Sequence, residues 1–210
     1  NCDLADIKAL KKSVKHVEHD LGPVRVLVNN AANNPKQESK GIKNNDRLEN
    51  FNIDKWDLDL DVALKGSFLC IKHFGFKISQ NPSGGSIVNI SSDLGLIAPD
   101  QSIYKVEGLD DNDQPVKPIT YSIVKTGIIG MTRYVATYWA NKGVRCNTLC
   151  PGGVENDQDK DFIKKLKNKI PMNRMAKKDE YKGSIIYLLS DASSYVNGAT
   201  LAADGGRSVW

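Results

Sequence analysis

The sequence predicts an α/β fold, a doubly wound parallel sheet with helices on both faces, and two observations support this prediction. Short apolar runs that follow chain breakers recur along the chain, which is typical of strands buried on both faces. Amphipathic stretches long enough for helices separate these runs, as the crossovers of parallel strands require. With 210 residues, 40% of them apolar, the chain suffices for one core, so we expect a single domain over residues 1–210.

Two helices and two strands are predicted in the first half of the chain. Apolar residues recur at helical spacing over 4–17, and Gly22-Pro23 ends this helix before a strand at 24–30. A long amphipathic helix is predicted from 51 to 80, and a glycine turn separates it from a second strand at 86–91.

The second half continues the alternation. A helix over 119–141 ends at a glycine, and a strand at 144–150 follows it. A lysine-rich helix at 159–168, another helix at 177–190 and a last strand at 199–204 complete the set. Two stretches between these elements have loop-like composition: residues 33–50 and 100–118.

The charge pattern argues against a nucleic-acid groove. The net charge is +4, and the basic residues crowd into 160–182 at helical spacing with few aromatics, as on a solvated helix face. No apolar run approaches the roughly 18 residues that cross a bilayer, and no signal peptide opens the chain. We therefore expect a cytoplasmic protein without nucleic-acid or membrane partners.

Neither cysteines nor histidines predict a metal site. The four cysteines lack the paired spacing of a zinc site and the density of a disulfide scaffold, so reduced thiols are expected. Cys146 and Cys150 have an even separation on a predicted strand, which favours core packing on one face. His16 and His19 lie three apart with no third ligand nearby, which favours surface positions.

Small or polar residues follow three predicted strands. These segments are residues 29–32, Ser91-Ser92 and residues 151–154. In doubly wound sheets the ligand site lies beyond the carboxyl ends of the strands, so these segments should converge on one crevice. Tyr121 and Lys125, one turn apart on the helix after the second strand, should face the same crevice.

The order of the motifs NNAA, ISS, Y-x-x-x-K, R-x-N-x-x-x-P-G and DGG resembles that of the short-chain dehydrogenases/reductases. The resemblance runs from Asp3 to Gly206. It implies a Rossmann-like fold and an oxidoreductase that transfers a hydride between NAD or NADP and a carbonyl or alcohol carbon of a small molecule.

The resemblance implies that Tyr121 is the acid/base of this reaction. A free tyrosine has a pKa of about 10, too high for efficient proton transfer near neutrality. Lys125 is expected to lower the pKa of Tyr121 and to hold the cofactor ribose. Ser92 is expected to donate a hydrogen bond to the substrate oxygen.

The resemblance also implies a set of cofactor-binding residues. Asn30 and Ala31 are expected near the adenosine, and Asp3 near the adenine amine. The main chain of residues 151–154 is expected to meet the nicotinamide carboxamide, because glycine permits close approach. The expected set is Asp3, Asn30, Ala31, Tyr121, Lys125, Pro151, Gly152 and Val154.

Three departures from the family pattern matter. The glycine cluster that seats the pyrophosphate is absent from these residues, so the sequence resembles a domain lacking its first βα units, and we expect the isolated 210 residues to bind dinucleotide poorly or not at all. Ala63 stands where relatives usually carry an asparagine of the proton relay. An insert at 102–118 separates Ser92 from Tyr121, and it either folds over the substrate mouth or forms a disordered surface loop.

Alternatives stay open for substrate and function. The insert and the GGRSVW ending are similar to those of short-chain enzymes encoded among bacterial surface-sugar and flagellin-glycosylation genes, which suggests a sugar-like substrate. A non-catalytic protein that binds a nucleotide or a partner subunit is the main alternative. An epimerase or dehydratase is a third, although such relatives are longer at the carboxyl end. A homo-oligomer, tetramer or dimer, is expected through the long helices and the last strand.

Overall fold

The computed structural model describes residues 2–32 and 46–210, so most of the predicted loop at 33–50 lies outside the described residues. The helices are α1 (Ile7–Leu21), α2 (Ile53–Asp59), α3 (Gly66–Cys70), α4 (Phe76–Ile78), α5 (Ile119–Tyr138), α6 (Lys160–Lys167) and α7 (Lys182–Leu189). The strands are β1 (Val26–Asn29), β2 (Gly85–Ile90), β3 (Val144–Pro151) and β4 (Thr200–Ala203).

The four strands form one parallel sheet in the order β1-β2-β3-β4. Asn29 lies opposite Asn89, Asn89 opposite Thr148, and Thr148 opposite Thr200. Because the strands are parallel and aligned in this way, their carboxyl ends share one edge of the sheet. The segments that follow the strands therefore begin at that edge.

Helices cover both faces of the sheet. On one face, Ile87 of β2 packs with Trp139, which follows α5. On the other face, the next residue of the strand, Val88, packs with Leu188 of α7. Successive strand residues point to opposite faces, so this pair of contacts defines the two layers of helices. The predicted doubly wound α/β fold is confirmed.

The helix predicted over 51–80 is a continuous helical run over residues 53–78 with two π-helical turns, at Leu60–Lys65 and Ile71–Gly75. Asn52 caps its first turn, because the side-chain oxygen accepts hydrogen bonds from backbone amides two and three residues later, at 2.7 and 3.3 Å. The π turns interrupt the regular hydrogen-bond ladder, and such interruptions are frequent near functional sites.

A chain of buried polar side chains ties β1, β2 and β3 to α5. Asn29 donates to Asn89 at 2.7 Å, and Asn89 donates to the Thr132 hydroxyl at 2.8 Å. Thr148 donates to the same hydroxyl at 2.7 Å. Buried polar groups are tolerated when they are hydrogen-bonded, and here the bonds fix α5 relative to three strands.

The two cysteines of β3 lie in the core as predicted. Cys146 and Cys150 of β3 are both fully buried, and all four cysteines are free thiols. Burial raises the pKa of Cys146 to about 12. At neutral pH this thiol is therefore protonated and chemically inert.

No helix within residues 2–32 and 46–210 is long and apolar enough to cross a membrane. In the same described part of the chain, no three His, Cys, Asp or Glu side chains are grouped so that they could hold a metal ion. His16 and His19 each contact Asp20 at the surface, at 3.2 and 2.7 Å.

Candidate active site

Ser92 lies where the chain leaves β2. It caps a short 3₁₀ turn over Asp93–Gly95, and its Oγ accepts a hydrogen bond from the Leu94 amide at 3.2 Å. The same hydroxyl donates to Asp93 Oδ1 at 2.7 Å. Ser91 Oγ, beside it, donates to the Lys125 carbonyl at 2.7 Å. These bonds hold the serine at the carboxyl edge of the sheet and tie the strand end to α5.

Tyr121 and Lys125 occupy successive turns of α5. The residue before this helix, Pro118, has an extended backbone conformation. Proline suits the start of a helix because it has no amide hydrogen to satisfy. Lys125 is buried, and its Nζ donates to the Ile90 carbonyl at 3.1 Å and lies 5.6 Å from the centre of the Tyr121 ring. The predicted pair is thus close together at the end of β2.

Burial is the main influence on the pKa of the Tyr121 phenol. Burial raises the pKa of Tyr121, a hydrogen bond with Ser92 lowers it, and the Asp93 carboxylate raises it. Burial likewise lowers the pKa of Lys125. The expected lowering of the Tyr121 pKa by Lys125 does not appear in this structure, where burial raises that pKa and the Lys125 ammonium is directed toward a backbone carbonyl, and it stays a prediction for the enzyme with cofactor.

Asp93 and Arg207 form a buried ion pair beneath the serine. Arg207 Nη1 donates to Asp93 Oδ2 at 2.7 Å, and only 7% and 5% of the two side chains are exposed. Gly205 and Gly206 have positive φ angles of 68° and 88°, which glycine adopts without strain. Asp204 accepts from the Gly206 amide at 3.0 Å. The DGG motif thus forms the turn that delivers Arg207 to Asp93.

A cavity of about 550 Å³ opens beside these groups. Five residues of the predicted site line it: Ser92, Tyr121, Pro151, Gly152 and Val154. Lys125 does not line the cavity, and its Nζ lies 5.6 Å from the centre of the Tyr121 ring. The segments that follow β2 and β3 therefore converge as expected, whereas residues 29–32, which follow β1, do not line this cavity.

The loop after β3 is held close to the end of β4. A Cβ atom on Gly152 would lie 2.9 Å from the backbone of Asp204, so only glycine fits there without displacement. Tyr181 donates its hydroxyl hydrogen to the Gly152 carbonyl at 2.9 Å, and Val154 forms an isolated parallel bridge with Ala176. The main chain of this loop is therefore fixed at the cavity wall.

The insert is ordered and forms part of the cavity. It contains 3₁₀ turns at Gln101–Tyr104 and Asp111–Asp113. Ile103 packs in a cluster with Leu166 of α6, and the Tyr104 ring lies 5.5 Å from that of Phe162. This placement favours the first of the two alternatives, a segment folded over the cavity, over a disordered loop.

Three expected cofactor residues lie outside this cavity. Asn30 and Ala31 are exposed just after β1, and Asp3 is exposed ahead of α1, where its carboxylate accepts from the Ala5 amide at 2.9 Å. Cavity-lining residues that the sequence analysis missed are Asp93, Tyr104, Lys117 and Arg207. The DGGR sequence was the available signal for Arg207.

Ala63 lies in an apolar environment. It is 3% exposed and packs with Val124 and Ile128 of α5. Its carbonyl, in the first π turn, accepts a hydrogen bond from the Ser67 hydroxyl at 2.6 Å. The alanine side chain offers no polar atom for a proton relay at this position.

A larger depression of about 900 Å³ lies at the opposite edge of the sheet, around Ser83, Gly143 and Tyr195. It faces the amino ends of the strands, whereas open α/β sheets bind ligands at the carboxyl ends. Arg145, its best-placed cation, already donates to three backbone carbonyls at 3.1–3.2 Å. We therefore assign the site to the smaller cavity, beside Ser92 and Tyr121.

Two family models cover most of the chain. Residues 1–105 match the model described as short chain dehydrogenase, and residues 113–208 match the one described as Enoyl-(Acyl carrier protein) reductase. Among curated relatives, D-threitol dehydrogenase of Mycolicibacterium smegmatis is 29% identical over 99% of this chain and 72% of its own length. D-arabinitol 2-dehydrogenase (ribulose-forming) of Candida tropicalis is 32% identical over 100% of this chain and 70% of its own length.

Two solved structures are similar over nearly the whole chain. A short chain dehydrogenase from Leptospira borgpetersenii with bound NAD⁺ is 26% identical, with a TM-score of 0.82 over 99% of this chain and 74% of that one. A gluconate 5-dehydrogenase from Burkholderia cenocepacia in complex with NADP and tartrate has the same identity, TM-score and coverage.

Proposed function

The chain belongs to the short-chain dehydrogenase/reductase family and is an NAD(P)-dependent oxidoreductase, and we propose that Ser92, Tyr121 and Lys125 catalyse its hydride transfer on a small polyhydroxy substrate. The observation that supports the site is the convergence of Ser92 and Tyr121 on one cavity, with Lys125 Nζ 5.6 Å from the centre of the Tyr121 ring. Named relatives that act on threitol, arabinitol and gluconate support the substrate class.

In the oxidative direction, Ser92 holds the substrate hydroxyl by a hydrogen bond while the Tyr121 phenolate takes its proton. The bound nicotinamide supplies the chemistry of hydride acceptance, so the alcohol leaves as a carbonyl compound. In the reductive direction, Tyr121 returns a proton to the carbonyl oxygen. Because burial raises the pKa of Tyr121, the neutral phenol that this direction needs is the prevailing form at neutral pH.

The residues present suit the nicotinamide and ribose end of the cofactor. Lys125 has donors for ribose hydroxyls. Gly152 packs closely against the Asp204 backbone, and Pro151, Gly152 and Val154 together line the part of the cavity wall where we place the nicotinamide ring. Asn30 and Ala31 follow β1 at the same carboxyl edge of the sheet, and we retain them, with Asp3, as proposed contacts of the adenosine end.

We also propose that residues 1–210 form one domain and that the protein is a cytoplasmic homo-oligomer, dimer or tetramer. A single sheet from β1 to β4 supports one domain. Four free thiols are typical of a reducing compartment. Exposed aromatic rings on the long helical run and on α5 support association of these helices with a second copy.

Replacement of Tyr121 by phenylalanine tests the proposed function. We expect Tyr121→Phe to lower kcat by roughly 10²- to 10⁴-fold, the usual contribution of a general acid/base, with cofactor binding retained. The measurement is the absorbance of reduced nicotinamide with a panel of four- to six-carbon alditols and aldonates, on full-length protein because the isolated 210 residues are expected to bind dinucleotide poorly. Tyr134→Phe, which changes an exposed tyrosine on the same helix, should behave as the unaltered protein does.

Two outcomes would contradict the proposal. Undiminished turnover by Tyr121→Phe would remove Tyr121 from the chemistry. Cofactor binding by the unaltered protein without turnover of any panel member would favour the non-catalytic alternative, for which Ala63 at the relay position is an argument.

A further inference from the structure

The insert places a second phenol, that of Tyr104, at the cavity. Tyr104 ends the 3₁₀ turn Gln101–Tyr104 and lines the cavity together with Tyr121. One oxygen of Asp100 caps this turn by accepting from the backbone amide two residues later at 2.9 Å, and its other oxygen pairs with Lys169 at 2.9 Å. The cap and the ion pair hold the turn against the body of the protein, so the phenol has a defined position.

The ring of Tyr104 is packed, whereas its hydroxyl is not engaged. The ring lies 5.5 Å from that of Phe162 and packs against the apolar cluster around Ile103. Within residues 2–32 and 46–210, the Tyr104 hydroxyl has no hydrogen-bond partner. Every fully buried side-chain oxygen or nitrogen in that part of the chain does have one, so the Tyr104 oxygen is open to solvent. The hydroxyl of a packed tyrosine usually finds a partner, and a bound ligand can supply it here.

Other polar groups of the cavity wall already have partners inside the protein. Ser91 donates to the Lys125 carbonyl at 2.7 Å. Both ends of the Gln158 amide bond to backbone groups, at 2.6 and 2.7 Å, and Asp93 and Arg207 bind each other. Tyr104 differs from these groups, because its hydroxyl can bind a substrate without breaking a bond within the described structure.

The Tyr104 phenol is neutral at physiological pH. Burial raises the pKa of Tyr104 to about 12, Arg207 lowers it, and Asp93, Tyr121 and Asp100 raise it. Three of these groups, Arg207, Asp93 and Tyr121, also line the cavity. A neutral phenol donates one hydrogen bond and accepts others, as a substrate hydroxyl does, so the two can pair in either sense.

We propose that Tyr104 determines specificity by hydrogen bonding to a substrate hydroxyl other than the reacting one, so that the enzyme selects polyhydroxy compounds over simple alcohols and ketones of the same carbon skeleton. The proposal rests on the oxidoreductase function proposed above for the same cavity. The reacting oxygen would lie at Ser92 and Tyr121, and a second hydroxyl of the substrate at Tyr104. A site that is built to hydrogen-bond a substrate hydroxyl rejects the analogue that lacks it.

Tyr104→Phe tests this inference, because it removes the hydroxyl and keeps the ring. On full-length protein, we compare kcat/KM for D-erythrulose and 2-butanone, four-carbon ketones that are reduced at the same carbon and differ in three hydroxyl groups. The unaltered protein should prefer D-erythrulose. Tyr104→Phe should lower kcat/KM for D-erythrulose by roughly 3- to 10-fold, the contribution of one neutral hydrogen bond, and leave the value for 2-butanone unchanged.

A second measurement separates binding from chemistry. For the alditol or aldonate of the panel with the highest kcat/KM, the loss in Tyr104→Phe should appear as a higher KM, with kcat and the KM of the cofactor nearly unchanged. A distorted site would instead lower kcat as well. Tyr195→Phe is the matched control, since it makes the same change at a fully exposed residue near the opposite edge of the sheet, and it should alter none of these values.

The outcomes separate this inference from the proposed function. Unchanged kinetics of Tyr104→Phe on D-erythrulose and on the best panel compound, or an equal loss on 2-butanone, would overturn the role of Tyr104 and leave the oxidoreductase function intact. Turnover of 2-butanone by the unaltered protein as efficient as that of D-erythrulose would overturn it too. Absence of turnover for D-erythrulose and for every panel compound would refute the proposed function itself.

Discussion

At the scale of single residues, Asp93 connects the proposed catalytic serine to the last turn of the chain. One of its oxygens accepts from Ser92 at 2.7 Å and the other from Arg207 at 2.7 Å. A carboxylate with two such bonds can orient the serine hydroxyl only while the arginine compensates its charge. The position of Ser92 therefore depends on a residue 115 positions away in sequence.

We predict that Arg207→Met destabilises the fold strongly. Removal of one partner of a buried ion pair leaves an uncompensated charge and typically costs about 3–5 kcal/mol in the free energy of unfolding. Equilibrium unfolding in urea measures this change. The double variant Arg207→Met with Asp93→Asn should recover part of the loss, because the orphan charge is then gone.

Arg174→Met is the control for this prediction. Arg174 pairs with Glu180 at 2.7 Å on the surface, where solvent screens the pair. Its removal should change stability far less than Arg207→Met does. Equal effects of the two substitutions would contradict the assignment of a buried, structurally essential pair to Arg207.

The residues of the site differ in how far the sequence predicts them. Ser92 and Gly152 directly follow strands, so the rule for parallel sheets places them correctly, and Tyr121 lies in the first turn of α5, the long helix between β2 and β3. Lys117 and Arg207 reach the cavity from an insert and from a terminal turn. Neither segment has a periodic pattern, so only tertiary contacts determine where these side chains lie.

At the scale of elements, Ile103 is the buried apolar side chain by which the insert packs on the body of the protein, beside the ring contact of Tyr104 with Phe162. This side chain is 2% exposed and packs with Leu166, Ile170 and Met175. Gln114 closes the insert on itself by hydrogen bonds to the backbone of Val106 and Leu109. The packing of Ile103 and the hydrogen bonds of Gln114 thus help to hold the segment that carries Lys117.

We predict that Ile103→Ala loosens the insert and lowers kcat/KM. An Ile→Ala change in a core typically costs roughly 2–5 kcal/mol, and here the loss should appear first as local opening of the insert. Limited proteolysis within residues 105–113 should become faster before the sheet unfolds. Val106→Ala, at an exposed apolar position of the same insert, should change neither kcat/KM nor the rate of proteolysis. Equally fast proteolysis of the two variants would contradict the anchoring role of Ile103.

Periodic elements were predicted closely, and their irregularities were not. The strand predicted at 144–150 agrees with β3 to within one residue. A glycine before the first valine and a proline at the end of the apolar run mark its two limits in the sequence. The helix expected at 177–190 begins instead at Lys182. Glu180 accepts a hydrogen bond from the Lys177 amide at 2.6 Å and pairs with Arg174, so these residues form a turn before the helix.

At the scale of the whole molecule, the candidate active site and the exposed aromatic side chains lie on different parts of the fold. The cavity lies at the carboxyl edge of the sheet, whereas Phe68 and Phe76 of the long helical run are about half exposed on the helical layer. Tyr134 and Tyr138 of α5 stack on each other there with ring centres 5.6 Å apart. Trp139, the residue after Tyr138, is instead buried in the core.

We predict that these outward-facing aromatic side chains join two copies of the chain. They lie on neighbouring helices that pack on the same face of the sheet, and Tyr134 is 67% exposed. Burial of an aromatic side chain at an interface is favourable, and a carboxylate in the same place is not, so Tyr134→Asp should shift a dimer or tetramer toward smaller species. Sedimentation velocity measures the change, and Leu21→Asp, at an exposed position at the end of α1, is the control. A monomeric unaltered protein, or an unchanged mass in Tyr134→Asp, would exclude α5 as the interface.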